Sequence, residues 1–318
     1  MGLKLQDFGG ALSEDSITKI AVHDCSPVMG HASLSGGGPR NPRNSAAMIR
    51  YAIPWAASLA ICVTLVGGGT RAETISAPIV TPHVRAQLVA LDRLDDGHLS
   101  LGLRMSLKPG WHTYWRNPGD SGEPPTLKLT VPDGATAPIS GWPVPERINV
   151  GGIVSYGHEG EVLFVAKATV PPGTTRIEAE ATWLVCEKVC VPESGKFQLD
   201  VATPDPPAAA TVALKPVLPP SIDATLARAD DKLRLNINVG KLGGAPVSAY
   251  FFPYQGDIID HSAKQRFRVA DGTMALDLTP FDVRAKTPLE LSGLLVVETA
   301  AGGGRQTRRF EVLAHFGG

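Results

Sequence analysis

From His98 to Leu107 the chain reads H-L-S-L-G-L-R-M-S-L. Every second residue is Leu or Met, so Leu99, Leu101, Leu103, Met105 and Leu107 share one face of an extended strand. A helix would scatter these side chains around its axis. A strand gathers them, so this period predicts a half-buried strand of an antiparallel sheet. The pattern recurs in V-R-A-Q-L-V-A-L-D-R-L (Val84–Leu94), T-L-K-L-T-V (Thr126–Val131), E-V-L-F-V-A-K-A-T-V (Glu161–Val170), R-I-E-A-E-A-T-W-L-V (Arg176–Val185) and K-F-Q-L-D-V-A (Lys196–Ala202). P-D-G at Pro132–Gly134 and P-P-G after Val170 read as turns.

A proline-rich stretch, T-P-D-P-P-A-A-A (Thr203–Ala210), interrupts the pattern and reads as a linker. Strands then resume in K-L-R-L-N-I-N-V (Lys232–Val239), S-A-Y-F-F-P-Y (Ser248–Tyr254), T-M-A-L-D-L-T-P (Thr273–Pro280), L-E-L-S-G-L-L-V-V-E-T (Leu289–Thr299) and Q-T-R-R-F-E-V-L-A (Gln306–Ala314). No long 3.6-residue period appears after the apolar segment near residue 60. The 318 residues therefore suggest two all-β domains, each with enough strands for a sandwich, over 78–203 and 215–318 with a linker at 204–214. A formal net charge of −1 gives no reason to expect a nucleic-acid partner.

Ala52–Val66 is strongly apolar, with Arg50 before it and T-R-A (Thr70–Ala72) after it. A basic start, a short apolar run and a small-residue end predict a secretory signal peptide over 48–72, starting at Met48. The alternative is a membrane anchor formed by an uncleaved 52–66 segment, though a span needs about 20 apolar residues. Residues 1–47 are rich in Gly, Ser, Pro and Asn and read as disordered or as an over-extended gene start. Cys25 and Cys62 fall before the cleavage point, so the exported chain keeps only Cys186 and Cys190. An exported, periplasmic pair meets oxidising conditions.

That pair lies in W-L-V-C-E-K-V-C-V-P-E (Trp183–Glu193). On a straight strand, positions four apart lie about 13 Å apart. A disulfide needs Cα atoms within about 7 Å. If the two bond, the chain reverses at Glu187-Lys188-Val189, and β-branched Val185 and Val191 favour a strand turn over a helical one. So small a ring stabilises by only about 2 kcal/mol, against about 4 for a ring of some 50 residues. The residues leave three readings open. One is a local structural disulfide. Another is a redox switch. The third is a Cu(I) site at Cys186 and Cys190, with His112, His158 or Met105 as further donors. No cofactor is implied.

Four motifs then come in a particular order: P-G-W-H-T-Y-W-R-N-P-G-D-S-G-E-P-P (Pro109–Pro125), G-W-P-V-P-E-R-I (Gly141–Ile148), Y-G-H-E-G-E-V-L-F (Tyr156–Phe164) and the cysteine motif. Together they resemble the periplasmic amino-terminal domain of the thiol:disulfide interchange protein DsbD, and more closely its relative ScsB, the suppressor-of-copper-sensitivity protein. The resemblance spans roughly residues 78–202, and A-Y-F-F-P-Y-Q-G-D-I-I-D-H-S-A-K-Q-R-F (Ala249–Phe267) resembles the second β domain of ScsB-like proteins.

The resemblance implies two immunoglobulin-like β-sandwich domains in tandem after the signal, with Cys186 and Cys190 as the exchanging pair. It implies a protein-disulfide reductase component that takes electrons from a membrane reductase and passes them to periplasmic thioredoxin-fold proteins. In the family a cap loop shields the pair with an aromatic residue. That place falls on Val150–Gly157, with Tyr156 as the shield. Tyr114 is expected to reach the thiols, Trp111 to lie near them, and Glu159 to accept a proton beside one. Asn117-Pro118-Gly119-Asp120 reads first of all as a turn. The best-known member spaces its cysteines more widely. The family's membrane conduit and terminal thioredoxin domain do not follow here, so the expected reductase is a separate protein.

Overall fold

The alternating segments form strands, and three sheets hold nearly all of the regular secondary structure of the computed structural model. It describes residues 74–93, 97–130, 137–202, 207–301 and 304–317, all within one compact unit spanning Val66–Gly318. The expected extension at 1–47, the signal at 48–72, the Pro132–Gly134 turn and part of the linker lie outside the described residues.

The first half carries β1 (Ile79–Val80), β2 (Val84–Arg93), β3 (His98–Leu107), β4 (His112–Gly119), β5 (Thr126–Thr130), β6 (Ile139–Gly141), β7 (Glu146–Val150), β8 (Ile153–Glu159), β9 (Glu161–Thr169), β10 (Arg176–Cys186) and β11 (Cys190–Asp200). Helix α1 (Ala209–Leu214) follows. The second half carries β12 (Ser221–Ala229), β13 (Lys232–Asn238), β14 (Ala245–Pro253), β15 (Arg266–Ala270), β16 (Thr273–Leu278), β17 (Glu290–Ala301) and β18 (Gly304–Phe316).

The first half is an immunoglobulin-like sandwich of two sheets, ordered β1-β2-β3-β9-β6 and β11-β10-β4-β8-β7, with β5 also paired to β10. The apolar face of β3 meets Ile177, Ala179, Ala181, Trp183 and Val185 of β10 in one buried cluster. These five residues alternate along β10, which is why its exposed partners Glu178, Glu180 and Thr182 could be read as an outer face. The outer face of the β3 sheet is not left bare. Val89, Leu91 and Leu163 form a small second cluster there, and Leu214 of α1 packs on it. Thr211 of α1 is fully buried, and Lys215 Nζ lies 2.7 Å from Asp92 Oδ2. The end of the linker is thus a helix seated on the first domain. With no side-chain cap to stabilise it alone, α1 is held by this packing.

The second half differs from a pair of separate sheets. Its strands form one seven-stranded sheet in the order β14-β17-β18-β12-β13-β16-β15, with β12 and β18 parallel. One buried cluster holds both Phe251 of β14 and Leu276 of β16, near opposite ends of that order. The sheet therefore curls over its own apolar face. Alternation dictates which side chains point inward, but not whether the strands divide into one ladder or two.

The two halves share a third cluster. Trp115, Val154 and Tyr156 from the first domain pack with Phe252 and Leu294 from the second. Phe252 meets Tyr156 edge-on at 4.9 Å between ring centroids and Trp115 at 6.1 Å. Burying each such aromatic contributes about 2 kcal/mol, so the second domain is seated on β4 and β8 rather than tethered loosely.

Candidate functional site: a disulfide hairpin under a buried tyrosine

Strands β10 and β11 pair in unbroken register from Arg176↔Asp200 to Cys186↔Cys190, and Glu187–Val189 turns the chain back. Cys186 and Cys190 are disulfide-bonded with Cα atoms 4.2 Å apart. The two differ sharply in access. Cys186 is 4% exposed, whereas Cys190 and the turn around it face solvent, with Val189 71% exposed.

Register sets what surrounds the sulfurs. Cys186 pairs with His112 on β4, and His112 pairs with Glu159 on β8. Directly opposed residues project to the same face. A row of Cys190, Cys186, His112 and Glu159 thus crosses four strands. Two residues along β4 from His112, on the same face, stands Tyr114. Its hydroxyl donates to Cys186 Sγ at 2.7 Å and lies 3.4 Å from Cys190 Sγ. Tyr114 is 1% exposed. Burial raises its phenol pKa, and side-chain hydrogen bonds with Ser155 and Ser121 partly offset that rise. The phenol therefore stays protonated and available as a donor to sulfur.

Tight glycines keep this packing close. At Gly157, opposite Tyr114, a Cβ would sit 2.1 Å from the Thr113 carbonyl oxygen. At Gly122, where φ is +108°, a Cβ would sit 2.2 Å from the Tyr114 ring. Gly122 therefore lets the loop after β4 lie flat on the tyrosine. A Gly122→Ala substitution is expected to push Tyr114 off the sulfurs and to lower the melting temperature. A crystal structure of that variant with the ring in place would contradict this.

The other expected neighbours fall elsewhere. Tyr156 does not cover the sulfurs. It precedes Gly157, the residue opposite Tyr114, and so points to the other face of the sheet. There it packs in the inter-domain cluster, its hydroxyl 3.0 Å from that of Tyr250. The Val150–Gly157 stretch is accordingly hairpin β7–β8, whose Gly151-Gly152 tip lies at the end away from the Glu159↔His112 pair. Tyr114, not Tyr156, is the aromatic residue that covers the sulfurs.

Trp111 packs on the core and stacks on His83 at 3.8 Å. His83 Nδ1 in turn lies 2.7 Å from Glu193 Oε1, and Glu193 also accepts from Trp183 and Thr81. This network braces the base of the hairpin. Glu159 is exposed and acts on His112, not directly on a sulfur. The sequence suggests His112 only as a metal ligand. Its place beside Cys186 depends on strand register, which no local motif reveals.

Of the further copper donors considered, Met105 is buried in the core and His158 lies against Phe164 on the opposite face from His112. Among the described residues no group of three or more His, Cys, Asp and Glu side chains converges as a metal site would.

Burial lowers the His158 pKa from 6.5 to about 4 and lowers that of His112 as well, with Glu159 opposing the latter. The unfolded chain then takes up these protons before the folded one. Stability is complete above about pH 6.5 and falls as the pH drops toward 4, by on the order of 3 kcal/mol for His158. Denaturant titrations at pH 7 and pH 4.5 are expected to differ less in His158→Leu than in the parent protein. An equal difference in both would exclude the buried imidazole as the cause.

A tight hairpin disulfide, half buried and half exposed, under a tyrosine donor is the geometry that the sequence motifs surround. Residues 79–202 match the family model "Thiol:disulfide interchange protein DsbD, N-terminal". The DsbD-like stretch is thus the sandwich that carries the cysteines. The crystal structure of the N-terminal periplasmic domain of ScsB from Proteus mirabilis is similar at 19% identity and a TM-score of 0.58. It covers 77% of this chain and 100% of that one, so the likeness in fold extends past the DsbD-like stretch into the second domain. A search of curated proteins found no match. Among the described residues no helix is long and apolar enough to cross a membrane.

Proposed function

We propose that this chain is an exported, periplasmic thiol–disulfide exchange protein that relays electrons from a membrane reductase to thioredoxin-fold partners. The observation that carries the reading is the asymmetry at the disulfide: Cys190 is open, while Cys186 is buried with the Tyr114 hydroxyl 2.7 Å from its sulfur.

During recharging, a thiolate of the reducing partner attacks Cys190 Sγ. The Cys186–Cys190 bond breaks, and its electron pair leaves on Cys186 as a thiolate. Tyr114 donates to that thiolate, which favours the charged leaving group. The partner's second thiolate then attacks the sulfur bonded to Cys190. That step frees Cys190, oxidises the partner to its disulfide and leaves this protein as a dithiol. Discharge runs the same steps in reverse. Cys190 attacks an oxidised acceptor, and Cys186 then attacks Cys190 Sγ, re-forms the ring and releases the acceptor reduced. Two electrons and two protons move in each direction. His112, beside Cys186, supplies a neutral imidazole able to take up or return one of those protons. The ring contributes little stability, so opening it costs the fold little.

The test mixes the reduced mature chain with an oxidised thioredoxin-fold protein and quenches with a mass-shifting alkylator. Stoichiometric transfer within seconds, with Cys186 and Cys190 oxidised and the partner reduced, is the expected result. Transfer no faster than with free glutathione would contradict the relay.

A further inference from the structure

The loop that seats Tyr114 is held by the second domain. Asp120 follows β4. Its Oδ2 accepts from the Val154 N–H at 2.7 Å, and its Oδ1 lies 2.9 Å from His261 Nδ1 of the second domain. A carboxylate only accepts, so Nδ1 carries the proton. Three residues earlier, Asn117 Nδ2 donates to the carbonyls of Pro253 at 2.8 Å and Gln255 at 3.1 Å, both also in the second domain. Asn117 Oδ1 accepts from the Gly119 N–H at 3.1 Å. The end of β4 and the segment that follows it are thereby each pinned to the second domain. Its next residues, Ser121 and Gly122, are the ones that touch Tyr114. A continuous path runs from His261 through Asp120, Ser121 and Gly122 to Tyr114 and Cys186.

Adhesion alone does not require these polar links. The aromatic cluster of Trp115, Tyr156, Phe252 and Leu294 already joins the domains. His261 is 2% exposed and packs edge-on to Tyr156 at 5.0 Å, while Arg147 donates to its backbone carbonyl. Breaking the Asp120–His261 or Asn117–Pro253 bond would leave a buried polar group without that partner, so these bonds favour one relative placement where apolar packing alone tolerates several.

We infer that His261, Asp120 and Asn117 are positioning residues, through which the second domain holds the Tyr114 hydroxyl on the sulfurs and sets the rate of exchange. The inference rests on the reading that Tyr114 assists that exchange.

The experiment uses the mature chain and four variants: His261→Leu, His261→Asn, Tyr114→Phe and the double variant His261→Leu with Tyr114→Phe. Asn at 261 retains a side-chain N–H donor on a short stem as imidazole Nδ1 does, and Leu offers none. Two quantities are read on folded protein: the ring carbon resonances of Tyr114 in the oxidised state, and the rate of disulfide reduction by dithiothreitol. In His261→Leu the resonances are expected to shift and the rate to fall by about three- to tenfold, the scale of one weakened hydrogen bond. His261→Asn is expected to restore both, and His261→Leu is expected to add no further loss in a Tyr114→Phe background. Unmoved Tyr114 resonances in His261→Leu would overturn the inference, as would a full additional loss in the double variant. An unchanged rate in Tyr114→Phe alone would instead overturn the role of the hydroxyl, leaving the resonances to decide whether the ring is positioned from the second domain.

Discussion

A Cys186→Ser variant, offered an oxidised thioredoxin-fold partner, is expected to accumulate a mixed disulfide at Cys190 that does not resolve. Cys190→Ser is expected to form none, and turnover falls to background in both. The asymmetry follows from access. Cys190 sits at the solvent-facing start of β11, and Cys186 lies at the end of β10 beneath Tyr114. An incoming sulfur must approach in line with the bond it breaks, and only the Cys190 side is open to a protein. Losing the ring lowers stability by only about 2 kcal/mol in either variant, so both remain folded and the comparison is fair. Non-reducing electrophoresis followed by mass mapping of the cross-linked peptide reads the result. Equal trapping by the two variants would show that burial does not choose the attacked sulfur.

The second large effect belongs to Tyr114→Phe. This change removes one oxygen and no ring, so the buried packing persists. What goes is the donor 2.7 Å from Cys186 Sγ. A hydrogen bond to a charged group contributes about 1.5–3 kcal/mol. Reduction by a dithiol is therefore expected to slow by about 10- to 100-fold. In the reduced protein the Cys186 thiol pKa is expected to rise, because its thiolate loses the hydrogen bond that favours it. Rates of alkylation measured across pH test this. A profile that does not move toward higher pH would mean that the hydroxyl only fills space.

Much of this was legible in the sequence, for reasons that particular residues make plain. β3 and β10 each bury one face and expose or half-expose much of the other, so their side chains alternate and the strands can be read directly. The hairpin at Glu187–Val189 was legible because no straight strand could bring Cys186 and Cys190 together. β4 was not. Tyr114 meets the disulfide on one face and Trp115 meets the second domain on the other, each 1% exposed, so no alternation survives. The same double burial on β8 hid the parity that sends Tyr156 away from the sulfurs. Asn117–Asp120 has a turn's composition, and its decisive partners lie far along the chain: His261 is 141 residues from Asp120. No local pattern encodes such a contact. Motif order carried the family resemblance, while the neighbours of the sulfurs, His112 among them, required the register of four strands.

The most direct measurement is a redox titration of the protein in glutathione buffers, with free thiols at Cys186 and Cys190 trapped by a mass-shifting alkylator. A reversible two-electron transition in folded protein is expected, at a potential within the range of periplasmic carriers. A pair that resists reduction until the fold melts would contradict it and leave Cys186–Cys190 a structural disulfide.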